Sequence, residues 1–174
     1  MSAARDAALV FVSWARIWSP LAPARARDEA WQALSLPGCF ADCEAEFLAT
    51  FVVGLPAPPV PLLLHAALGR DGGAVREDWM RVMAHLGLRF GDRSLPPDHL
   101  GGACELLACA IDHDDTVLIR ELLERYFVPW TEVAAEHVAG APHGAIARLP
   151  ALFAADLRDL RLSPADGASC TRSG

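Results

Sequence analysis

Residues 95–130, LPPDHLGGACELLACAIDHDDTVLIRELLERYFVPW, decide how the chain is read. The stretch reads as two consecutive helices joined by a short acidic turn. Pro96 and Pro97 fit only the first turn of a helix, where a missing amide donor costs nothing. Leu100, Cys104, Leu107, Ala108 and Ile111 recur at three- and four-residue spacing and form its buried stripe. Gly101 and Gly102 each cost roughly 1 kcal/mol relative to alanine, a cost usually offset where another backbone packs close by. Asp114 or Asp115 is placed to cap the second helix, whose stripe is Val117, Leu118, Leu122 and Tyr126. Pro129-Trp130 is expected to break that helix and begin another, running to about Val138.

The same region holds the charge imbalance. Between Asp98 and Glu136 stand nine carboxylates (Asp98, Glu105, Asp112, Asp114, Asp115, Glu121, Glu124, Glu132, Glu136) and two arginines, Arg120 and Arg125. That excess equals the formal charge of the whole chain, −7, so the remainder is neutral. An apolar two-helix unit with a concentrated negative field suggests a surface for something basic. With a pI near 5.3, nucleic acid is excluded as a partner, because phosphate binding needs a basic face.

A length of 174 residues allows one domain with a substantial core, and a hydrophobic fraction of 53% argues against disorder over most of it. The five cysteines (Cys39, Cys43, Cys104, Cys109, Cys170) are odd in number and mostly in apolar helical contexts. Free buried thiols in a reducing compartment explain them better than a disulfide framework. Arg5 followed by AALVFVSW suggests a signal peptide, but Asp6 and Arg16 flank a run at the short end for one. No stretch reaches the length of a membrane span, and a cytoplasmic location is expected.

Along the chain, residues 3–18 form an amphipathic helix through Ala7, Val10, Phe11, Trp14 and Trp18, ended by Ser19-Pro20. Residues 24–34 give a second helix, closed by Pro37-Gly38. Residues 40–53 give a third, with Phe40, Cys43, Phe47, Ala49 and Phe51 as core positions. GLPAPPVP (54–61) is extended, since four prolines in eight residues forbid regular helix. LLLHAAL runs to Gly69, and GRDGG (69–73) reads as a flexible loop. Residues 75–88 are helical, with Trp79, Val82, Met83 and Leu86 on one face, and Gly91-Asp92 turns the chain into the central stretch. AGAPHG is a loop, and residues 144–160 are a last helix kinked or restarted at Pro150. No run alternates with period two, so no strand is expected. The fold class is all-α: a single-domain helical bundle over residues 1–162, with 163–174 a flexible polar tail.

Two groups suggest metal chemistry. Cys39 and Cys43 lie four apart, as two zinc ligands can, but no second pair follows and structural zinc wants four ligands. They read as small buried hydrophobes. His113-Asp114 resembles the paired ligands of α-helical metal phosphohydrolases, with His85 or His99 upstream and Asp156 or Asp159 downstream completing the set. The competing reading of that pair is a solvated acidic turn. Nothing stands in a phosphate-cradling glycine loop or a nucleophile motif.

A different resemblance gathers more of the chain. In order come Pro58, Pro59 and Pro61, a loop with Gly72-Gly73, the helix EDWMRVMAHLGLRF, then LPPDHLGGACELLA and LLERYFVPW. This resembles the TorD/DmsD/NarJ family of molybdoenzyme maturation chaperones over roughly residues 40–160. The family carries a Pro-x-Asp-His-(Leu/Ile) motif opening one helix and a Pro-Trp closing the next. The resemblance implies a TorD-like all-helical fold, no catalysis, and no metal or cofactor. It also implies binding to the N-terminal leader, often twin-arginine, and apo-form of a molybdopterin-enzyme catalytic subunit, whose export waits on cofactor insertion. In the family the motif's aspartate and histidine are implicated in leader binding, and they fall here on Asp98 and His99.

The expected peptide-binding set is therefore Asp98, His99, Trp79 and Glu105, with Pro97, Leu100, Pro129 and Trp130 shaping the fold. Asp98 would pair with a leader arginine, His99 would hydrogen-bond at a groove floor, and an acidic rim beside an apolar groove would complement the leader. Trp79 is a candidate groove residue, though its stripe position also fits the core. On this reading Asp98→Ala or His99→Ala weakens binding with little loss of fold. Two departures bear on the subgroup: EAEFLATFVVG (44–54) meets the family's aromatic stretch loosely, and LLLHAALGR replaces its Tyr-Glu-Ser. The His113/Asp114 phosphohydrolase is the alternative, and a plain helical adaptor with an acidic face is a third. The proline segment and the glycine loop could hinge a domain-swapped dimer as an alternative to a monomer.

Overall fold

The computed structural model describes residues 3–89, 95–139 and 144–162. The described residues are helical and contain no strand, only an isolated antiparallel bridge between Leu63 and His99. In chain order the helices are α1 (Ala3–Trp18), α2 (Ala24–Ala33), α3 (Phe40–Phe47), α4 (Leu64–Ala67), α5 (Gly72–His85), α6 (Leu100–Asp112), α7 (Thr116–Leu122), α8 (Val128–Val138) and α9 (Ala145–Leu162). The turn expected at Gly91-Asp92, most of the AGAPHG loop and the tail from Ser163 lie outside the described residues. No described helix is long and apolar enough to cross a membrane.

The core is built around α6, which is covered nearly all round. Leu100, Cys104, Leu107, Ala108 and Ile111 are buried as the spacing requires, and Ala103, Leu106 and Ala110 are buried with them. Gly101 explains how α1 gets so near: a Cβ there would stand 3.1 Å from the Ala15 carbonyl oxygen and 3.3 Å from the Ser19 amide. Beside this contact, Trp18 centres an aromatic cluster. Its ring lies 5.4 Å from Trp14, 5.3 Å from Phe51, 5.3 Å from Trp130 and 5.7 Å from Phe153. Such pairs add about 0.5–1.5 kcal/mol each beyond area burial, so one residue ties α1, α8, α9 and the end of α3 together.

Several boundaries differ from the sequence reading, each for a local reason. α6 begins at Leu100 with His99 as its N-cap, so Pro96, Pro97 and Asp98 precede the helix instead of forming its first turn. α5 begins at Gly72, because the Asp71 carboxylate accepts from the Ala74 amide at 2.8 Å; GRDGG is therefore half turn, half helix. Asp115 caps α7, accepting from Leu118 at 3.0 Å.

As expected, Pro129 stands in the first turn of a new helix, α8, which runs to Val138. A wide π turn, Leu123–Phe127, precedes it, with the Val128 amide bonded to the Leu123 carbonyl. The extra residue in the turn absorbs the missing amide and the ring's bulk. A second π turn, Leu48–Val52, ends α3 before the proline segment. α9 runs through Pro150 without a restart.

Two core expectations fail. Val117 is 60% exposed, while Leu122, Leu123, Tyr126 and Phe127 are buried. Val117 is five residues from Leu122, off the face that Leu118 and Leu122 share. Ala49 is exposed for the same reason, since Phe47 and Phe51 define the buried side.

Candidate functional site

The proline segment, the PPDHL turn and the Pro-Trp helix start meet at one junction. Val60, Leu62 and Leu64 are buried, and the carbonyls between them serve as acceptors. The Trp130 indole donates to the Pro61 carbonyl at 3.0 Å. The Leu100 amide donates to the Leu62 carbonyl at 2.8 Å, and the Leu64 amide donates to the Asp98 carbonyl at 3.0 Å. Residues 61–65 are thus bonded to the start of α6 on one side and α8 on the other.

Asp98 is the charged centre of this junction and is wholly buried. Its Oδ2 faces His65, with the ring Nδ1 at 2.5 Å and the backbone amide at 3.3 Å. Its Oδ1 accepts from Arg76 Nε at 3.2 Å. Burying a carboxylate is costly unless it is paired and hydrogen-bonded, and here two basic side chains and an amide meet that cost. Gly72 makes room for the arrangement, since a Cβ there would lie 3.0 Å from the His65 ring.

His99 points into the protein. It is 5% exposed, and its Nδ1 accepts from the Gly101 amide at 3.1 Å. That bond needs a lone pair on Nδ1, so the ring is the neutral tautomer carrying its proton on Nε2. Burial holds its pKa down at about 4, against a smaller opposing pull from Asp98. As an N-cap it satisfies one of the orphan amides of α6.

The expected binding set does not assemble as one exposed site. Asp98 and His99 are buried, and Asp98 is already paired. Trp79 is fully buried, with Tyr126 at 5.1 Å and Phe127 at 6.3 Å between ring centres. Glu105 is exposed on α6. The expectation that Asp98→Ala would leave the fold nearly intact is corrected by this burial. Pro97 is half-buried, Pro129 lies in the first turn of α8, and Leu100 and Trp130 are core residues.

Sequence reasoning missed His65 and Arg76. No local spacing signals them, because His65 and Asp98 are 33 residues apart. Gly72, where a Cβ would lie 3.0 Å from the His65 ring, is the trace that His65 leaves.

The acidic character of the region is real at the surface. Apart from Asp98, its carboxylates lie on exposed or half-exposed residues. A cavity of about 240 Å³ opens between α5 and α7, lined among others by Asp78, Arg81, Val82, Leu118, Glu121 and Tyr126. Asp78 is its hub, accepting from Arg125 at 2.6 Å and Tyr126 at 2.8 Å. The Tyr126 hydrogen bond, chiefly, holds the Asp78 pKa below its usual value, while burial and Asp78 push Tyr126 up to about 12. This rim is mixed in charge rather than purely acidic.

His113 and Asp114 are exposed at the turn between α6 and α7, and His85 pairs with Asp115 at 2.8 Å. Among the described residues no three His, Cys, Asp or Glu side chains gather in a way that could hold a metal ion. Cys43 is buried, with its thiol pushed up to about 11 mainly by desolvation, while Cys39 is exposed.

No protein-family model, curated protein or solved structure matches this chain.

Proposed function

We propose that the chain is a cytoplasmic maturation chaperone. It binds the leader, of the twin-arginine kind, and the apo-form of a molybdopterin-enzyme catalytic subunit, and holds that subunit through cofactor insertion. One observation carries the reading: the separated motifs on which the resemblance rests converge on one junction. Pro61 takes the Trp130 indole bond, and Asp98 and His99 take their places between residues 62–65 and α6.

The surface supports the same partner class. A leader joins arginines to an apolar run. The region from α6 to α8 offers exposed carboxylates such as Glu121, Glu132 and Glu136, and the surface also exposes apolar side chains, among them Val117 on α7 and Met80 on α5. On this reading the chain acts by binding and needs no metal or cofactor of its own.

The test is the molybdenum content of the client. In a host lacking this chain, the catalytic subunit of one molybdenum oxidoreductase should accumulate without cofactor, and the wild-type chain should restore it. Full cofactor loading of every such subunit in its absence would refute the proposal.

A further inference from the structure

The two oxygens of Asp98 are held unequally. Oδ2 is held by the His65 ring and by the His65 backbone amide, both in the short helix α4. Oδ1 is covered by Arg76, which approaches side-on through Nε at 3.2 Å with its side chain 44% exposed. That distance is long for a charge-assisted bond, which usually spans about 2.7–2.9 Å, and a side-on approach forgoes the two-pronged grip of guanidinium on carboxylate. α5 does not depend on it, because Val75, Trp79 and Met83 anchor the helix in the core. Arg76 can therefore swing into solvent with α5 in place, leaving one oxygen of the buried carboxylate without its arginine partner.

We propose that Arg76 is an internal competitor, filling the guanidinium seat on Asp98 that an arginine of the partner takes when it binds. This rests on the chaperone reading above and adds its regulation. The free protein keeps its buried carboxylate paired, and the partner's arginine replaces a weak contact with a two-pronged one. Binding of an arginine to Asp98 is then opposed by the fraction of molecules in which Arg76 holds the seat.

The experiment titrates the full chain by calorimetry with a synthetic peptide bearing two adjacent arginines and an apolar run. A control peptide has both arginines replaced by glutamine. Arg76→Met keeps the aliphatic cover and removes the competitor, so the arginine peptide should bind about two- to fivefold more tightly, the range an exposed ion pair allows. Arg76→Lys, which keeps a weaker competitor, should fall between. In an Asp98→Asn background the Arg76→Met change should have no effect, and the control peptide should be indifferent throughout. Thermal melting of each variant establishes that it is folded.

If wild type binds the arginine peptide and Arg76→Met binds it equally or more weakly, the competitor role is overturned while the chaperone reading stands. Tight binding by Arg76→Met alone supports the role in its strongest form. If neither binds, both are overturned.

Discussion

A Cβ on Gly101 would stand 3.1 Å from the carbonyl oxygen of Ala15, so α1 and α6 touch backbone to backbone at the start of the motif helix. Its neighbour Gly102 has nothing within 4 Å of the same position. The two glycines should therefore respond oppositely to alanine. Gly101→Ala forces the helices apart and should destabilise by about 1–3 kcal/mol. Gly102→Ala adds only helix propensity and should stabilise by up to about 1 kcal/mol. Urea unfolding of both variants measures the difference.

Asp98→Ala should destabilise the fold by about 2–3 kcal/mol, because it leaves His65 and Arg76 without their shared carboxylate. Both of those side chains reach solvent, which keeps the cost below that of a sealed ion pair. Asp98→Asn retains an acceptor for the His65 amide and should cost less. Peptide affinities for these variants must therefore be read at temperatures well below each melting point.

The neutral cap at His99 makes the protein acid-sensitive. Its folded pKa of about 4 lies below the 6.5 of an unperturbed histidine, so the unfolded chain binds the extra proton first. The contribution is fully present above pH 6.5 and is lost as pH falls from there through about 4, amounting to roughly 3 kcal/mol in all. Asn keeps a capping oxygen and does not titrate. Urea midpoints of wild type and His99→Asn should converge in slope above pH 6.5 and diverge below it, with the variant losing less.

Trp130→Phe removes the donor to the Pro61 carbonyl and leaves space beside Trp18. A loss of about 1–3 kcal/mol is expected from the unpaired carbonyl, seen as a lower melting temperature. A null effect would mean that the junction between the proline segment and α8 is not held by this bond.

What the sequence shows of this architecture is local. The periodic apolar positions of α6, the aromatic face of α1 and the cap at Asp115 are legible because each signal and its structural consequence lie within a few turns. Paired glycines announced a close backbone approach, although only Gly101 makes it. Pro129 is legible as the opening of a new helix, which it is in α8, whereas Pro150 lies inside α9 with no restart there. Motif identity located Asp98 and His99 but not their surroundings. The buried Asp98 is paired by His65 and Arg76, which come from other elements and have no spacing relation to the motif.

The most direct measurement is co-purification of the tagged chain from its native host, with partners identified by mass spectrometry. The account predicts recovery of a molybdenum-enzyme catalytic subunit, lost when that subunit's N-terminal leader is deleted. Absence of any such subunit, under conditions in which it is expressed, would contradict the chaperone reading itself.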